Sequence, residues 1–72
     1  MRRYVFTVHA KERMRLRGIT EAMVKETVEQ PERTGTGYRL RRLAYRRYPT
    51  GILKVVYTEE GARAVIISTI WE

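Results

Sequence analysis

The stretch Ile52–Trp71, ILKVVYTEEGARAVIISTIW, decides the fold. Ile52 to Thr58 is rich in β-branched and aromatic residues and reads as a strand. Glu59-Glu60-Gly61 reads as a hairpin turn, and Arg63 to Trp71 as the strand that returns from it. From Ala64 to Ile67 this last strand is apolar on both parities, the pattern of a strand covered on both faces and therefore central in its sheet. Upstream, Pro49-Thr50-Gly51 is a turn, and Tyr38 to Tyr48 is an extended, very basic segment holding Arg39, Arg41, Arg42, Arg46 and Arg47. Three strands joined by tight turns predict an antiparallel meander.

Further upstream the pattern changes period. Arg33 to Gly37 reads as a loop, and Pro31 ends a helix over Ala22 to Glu29, with Thr20 as N-cap and Val24 and Val28 on one face. Val8 to Arg17 is a helix of strong formers capped by Thr7, and Gly18 stops it. Tyr4-Val5-Phe6 reads as a short first strand. The predicted architecture is α+β, in the order βααβββ, with a helix hairpin packed on one face of the meander and residues 1–72 forming one small basic domain.

Composition narrows the function classes. The chain has 72 residues, no cysteine and a formal charge of +7. A chain this short buries only about 60% of its unfolded surface, and neither a disulfide nor a cysteine zinc site can staple it. A single histidine excludes a His-rich metal cluster, so no metal or cofactor is expected. No apolar run approaches the roughly 18 residues of a membrane helix, and Met1-Arg2-Arg3-Tyr4 is unlike a signal peptide, so a cytoplasmic protein is expected. Of the fifteen basic residues twelve are arginine, and all eight acids are glutamate. The lack of Asn and Cys fits a thermophilic source, and the arginine bias fits a GC-rich genome equally well. A folded basic domain points to a polyanionic partner.

Two sets of cations stand out. His9, Arg13 and Arg17 follow an i, i+4, i+8 spacing that places them in one stripe along the first helix, beside Ala10, Met14 and Leu16. Such a stripe meets a bound anion, or it is satisfied within the fold by Glu21, Glu26 or a strand carbonyl. On the sheet, pairing the Leu43/Tyr45 face with the Leu53/Val55 face under the helices leaves Arg42, Arg46, Tyr48 and Lys54 together on the uncovered face. Cations and rings on a bare sheet make an RNA platform, although a soluble meander needs a polar outer face in any case. A one-residue slip in register would exchange the two faces.

The run His9-Ala10-Lys11-Glu12-Arg13-Met14-Arg15-Leu16-Arg17-Gly18-Ile19-Thr20-Glu21 resembles the opening of the domain of unknown function 4258 family. Val24, Pro31, Tyr45-Arg46-Arg47, Leu53 to Tyr57 and Val65 to Trp71 extend the resemblance over nearly the whole chain. The βααβββ order is similar at fold level to RelE- and BrnT-type ribonuclease toxins. That resemblance implies a toxin-like, metal-independent ribonuclease of a toxin–antitoxin system, acting on RNA or the ribosome and held by an acidic antitoxin-like protein.

Metal-free RNA cleavage needs the 2′-OH deprotonated, the phosphorane stabilised and the leaving oxygen protonated. Arg13, Arg17, Arg42, Arg46 and Lys54 can stabilise charge, and His9 can transfer a proton near neutral pH. With no second histidine, the other proton-transfer group is a glutamate, Tyr57, Tyr45 or Lys54. The candidate site is therefore His9, Arg13 and Tyr57 for catalysis, with Arg17, Arg42, Arg46, Tyr48 and Lys54 for nucleic acid. Two other readings stand beside the ribonuclease: a non-catalytic RNA- or ribosome-binding module, with Tyr45 and Tyr48 stacking on bases, and a protein-interaction domain that dimerises through a free strand edge.

Overall fold

The computed structural model describes residues 2–72. Its elements are β1 (Arg3–Phe6), α1 (Val8–Arg17), α2 (Glu21–Glu29), β2 (Arg33–Thr36), a 3₁₀ turn at Tyr38–Leu40, β3 (Arg42–Tyr48), β4 (Gly51–Glu60) and β5 (Arg63–Trp71). Two helices pack on one face of a five-stranded mixed sheet, ordered β1-β5-β4-β3-β2. The fold is α+β, and β3, β4 and β5 form the antiparallel meander.

The helices form where local chemistry dictates. The Thr7 hydroxyl accepts from the Ala10 amide at 3.0 Å and opens α1; the Thr20 hydroxyl accepts from the Met23 amide at 3.1 Å and opens α2. Gly18 closes α1 in the left-handed region (φ 68°, ψ 30°), and the Ile19 amide donates back to the Met14 carbonyl at 2.9 Å. Ile19 is buried as a result.

Two strands extend the predicted meander. β1 pairs in parallel with β5, Val5 opposite Val65, which makes β5 an interior strand as its apolar parities predict. Arg33–Thr36 is a strand where the sequence reads as a loop; it pairs with β3, Thr34 opposite Ala44. Arg-Thr-Gly-Thr carries no apolar side chain to announce it, and its burial is slight.

The core lies between the helices and the sheet. Val24, Leu53, Val55 and Ile66 are fully buried and join Ala10, Met14, Ile19, Val28, Ala44, Tyr57 and Ala64 in one cluster. Each fully buried aliphatic side chain contributes about 1.5–3 kcal/mol. A β-bulge interrupts β5, where Val56 faces Ser68 but Tyr57 faces Ile66. Ile67 is the extra residue, and the alternation of burial breaks there, with Ile67 and Ser68 both half-buried.

The register of β3 differs from the sequence expectation. Tyr48 pairs with Gly51 across a two-residue turn, Pro49-Thr50, so Arg46 faces Leu53 and Ala44 faces Val55. Counting Gly51 as a turn residue shifts the pairing by one and turns the strand over. Gly51 stands inside the strand at φ 153°, where a Cβ would meet the Glu72 carbonyl at 3.5 Å and the Trp71 ring at 3.7 Å. Arg42, Arg46 and Tyr48 therefore share the parity of the helix-covered face. Leu43 and Tyr45 lie on the open face with Ile52, Lys54, Val56, Val65 and Ile70, all half-buried. The middle of the open face is aliphatic, with Lys54 within it and Arg3, Arg33 and Arg47 on the same parity around it.

Candidate nucleic-acid interface

The cation stripe of α1 separates into fold and surface. Ala10 and Met14 are buried against β5, and Arg17 continues that row half-buried. Its guanidinium donates to the Thr69 carbonyl at 2.6 Å, and the Trp71 indole donates back to the Arg17 carbonyl at 2.9 Å. Arg17 is thus satisfied by a strand carbonyl, one of the two arrangements the spacing allows. His9 and Arg13 are exposed on the helix surface, and Leu16, placed beside the apolar row by sequence, is 67% exposed. The helix offers a narrow row and not a broad apolar face.

The sheet residues separate in the same way. The Arg46 guanidinium donates to the Gln30 carbonyl at 2.7 Å and lies 3.5 Å from the Glu26 carboxylate. The Tyr48 hydroxyl donates to Glu26 at 2.5 Å, with the Met23 carbonyl 3.2 Å from the same oxygen, and its ring meets Trp71 edge-on. Both side chains tie β3 to α2. Burial and the bond to Glu26 raise the Tyr48 pKa above the ordinary tyrosine value. At the other sheet margin, burial and the bond from its hydroxyl to Glu29 push Tyr4 up to about 12.

Tyr57 is 8% exposed on the helix side, and no side-chain hydrogen bond links it to His9 or Arg13 among the described residues. The structure does not gather His9, Arg13 and Tyr57 into one hydrogen-bonded group. Lys54 is the only member of the predicted sheet platform on the open face. Arg42, opposite Tyr57, reaches the Glu59 carboxylate at 2.7 Å, and Arg2 holds the other oxygen of Glu59 at 2.7 Å. Partial burial lowers the Arg2 pKa, but Glu59 and the nearby Tyr57 and Tyr4 hydroxyls raise it further, and the net shift is upward.

The residues sequence reasoning passed over lie between β2 and β3. Arg39 (φ 57°, ψ 53°) and Leu40 (φ 62°) are consecutive left-handed residues without being glycine. Each costs about 1–3 kcal/mol of backbone strain. The turn is closed by the Gly37 amide on the Arg41 carbonyl at 2.6 Å and the Arg41 amide on the Tyr38 carbonyl at 3.3 Å. Tyr38 and Leu40 project from it, 75% and 92% exposed. Thr36, Gly37, Leu40, Arg41, Arg42 and Glu59 line an open cleft of about 370 Å³ that the turn borders through Leu40. The Arg39 guanidinium lies 5.3 Å from the centre of the Tyr38 ring, and Arg33 lies 4.2 Å from the centre of the Tyr45 ring. The sequence reads Tyr38 to Tyr48 as one extended segment, but β3 begins only at Arg42 and Tyr38–Leu40 is a separate turn, preceded by glycines at 35 and 37.

Residues 6–72 match the family model described as Domain of unknown function (DUF4258). The chain belongs to that family. No curated protein matches it, and no solved structure does. In this DUF4258 chain no helix among the described residues is long and apolar enough to cross a membrane, and no group of three or more His, Cys, Asp or Glu could hold a metal ion.

Proposed function

We propose that this DUF4258 protein binds RNA, as a toxin-like protein would, through the arginine-rich side built by β2, β3 and the turn between them. The observation that carries the reading is the set Arg33, Arg39, Arg41 and Arg47, which makes no ion pair among the described residues. Cations without internal partners remain available to phosphates, and those stacked on tyrosine rings are already oriented for them.

The test is fluorescence anisotropy with a labelled single-stranded RNA 20-mer at several salt concentrations, in buffer containing EDTA. Affinity should fall linearly with salt on a log–log scale, and Arg39→Ala with Arg41→Ala should flatten the slope by roughly 0.7 for each phosphate no longer neutralised. Binding that is absent, or indifferent to salt, overturns the reading. The same samples run on a denaturing gel decide between the two RNA readings: cut RNA makes the protein a metal-independent ribonuclease, and intact RNA makes it a binding module. If RNA is cut, His9→Ala measures what the exposed imidazole contributes.

The open sheet face supports a second reading, a protein contact. Its aliphatic centre lies among Lys54, Arg3, Arg33 and Arg47, charges that repel a second copy and attract an acidic protein. Sedimentation at micromolar concentration should show a monomer. A dimer dissolved by Ile70→Lys would replace the acidic partner with a second copy of this chain.

A further inference from the structure

Among the described residues the only non-glycine residues at positive φ are Arg39 and Leu40. Strain of this kind persists where the surroundings impose it, and it collects at sites that hold something. Here it displays a leucine that contributes nothing to the core at 92% exposure and a tyrosine at 75%. The tyrosine carries a guanidinium near its ring and makes no other aromatic contact among the described residues. Leu40 also lines the cleft of about 370 Å³, whose cations are Arg41 and Arg42. That volume lies in the range of small-ligand sites. Glu59 stands on the same wall, fixed at both oxygens by Arg2 and Arg42.

We propose that the Tyr38–Leu40 turn and the cleft it borders at Leu40 hold one unstacked nucleotide of single-stranded RNA. The base stacks on Tyr38 against Leu40, and its phosphate lies toward Arg41, the cleft cation with no carboxylate partner. This rests on the RNA-binding reading and adds strand selectivity to it. Bases in a duplex are stacked on both faces and cannot meet a ring on a protruding turn, whereas an unpaired base can. The arginines by themselves would bind either form, because phosphate contacts carry no such information.

The experiment compares a labelled 12-nucleotide RNA strand with the same strand annealed to its complement, using the intact chain and its Tyr38→Ala and Tyr38→Phe variants. Tyr38 lies outside the core, and circular dichroism checks that each variant keeps the fold. Tyr38→Ala should weaken single-strand binding by about 5- to 100-fold and leave duplex binding within about twofold. Tyr38→Phe, which keeps the ring, should retain wild-type affinity. Equal losses on both RNAs, or none on either, overturn the proposal. If the unaltered chain binds neither RNA, the RNA-binding reading falls with it. If it binds both and Tyr38→Ala changes nothing, only the nucleotide site falls.

Discussion

Arg46 in β3, and Arg39 and Arg41 in the turn that precedes it, use their charge in opposite ways. In the strand Arg46 is bonded to the Gln30 carbonyl and lies against Glu26, with Tyr48 beside it on the same carboxylate. In the turn Arg39 and Arg41 make no ion pair, and the backbone that presents them is strained. Arg46 uses its charge inside the fold, while Arg39 and Arg41 leave theirs to solvent or to a ligand. A formal charge of +7 therefore says little about where an anion would bind until the internally satisfied cations are set aside.

The contrast is tested most forcefully beside Arg46. Leu53, cross-strand partner of Arg46, is fully buried. Leu53→Ala should cost about 2–5 kcal/mol in urea unfolding, enough to unfold much of a domain this small. Arg46→Ala should cost about 0.5–1 kcal/mol, because water can replace the guanidinium at the exposed Gln30 carbonyl, and it should hardly change RNA affinity. If Arg46→Ala weakens RNA binding as much as Arg41→Ala does, the division between strand and turn is wrong. In the turn the expectation reverses: Leu40→Gly relieves a left-handed residue and should stabilise the chain by about 1 kcal/mol.

A further effect is one of pH. Tyr4 and Tyr48 are both held protonated more firmly in the folded chain than in the unfolded one. Their contribution is complete below the ordinary tyrosine pKa of 10.0 and is lost as pH rises, for Tyr4 through about 12. Thermal melts should fall across that window, and Tyr4→Phe and Tyr48→Phe should each flatten the fall. An unchanged slope in both variants would mean that neither hydroxyl holds its helix as described.

What could be read in advance was local. Thr7, Gly18, Thr20 and Pro31 mark the helices because capping depends on residues a few positions apart. The alternation in β4 and the double apolar parity of β5 likewise needed only their own neighbours. The face of β3 depended on whether one glycine belongs to the turn or to the strand, and that single position sent Arg42, Arg46 and Tyr48 to the helix side. β2 was hidden because Thr34 and Thr36 bury little. The site was harder still. Arg17 is satisfied by Thr69, far away in sequence, and two left-handed residues at Arg39 and Leu40 run against their own propensity, so no local rule announces them.

The parallel pairing of β1 with β5 also sets an order of assembly. Arg3 lies opposite Arg63, so the bond between these strands closes a loop of nearly the entire chain. The meander needs only two tight turns and can form from neighbouring segments, whereas β1 has nothing to pair with until β5 is in place. β1, one of the two edge strands, is then expected to be the last to dock and the first to leave. Its amides should exchange with deuterium ahead of those in β4, which is flanked on both sides, and the start of α1 should loosen with it.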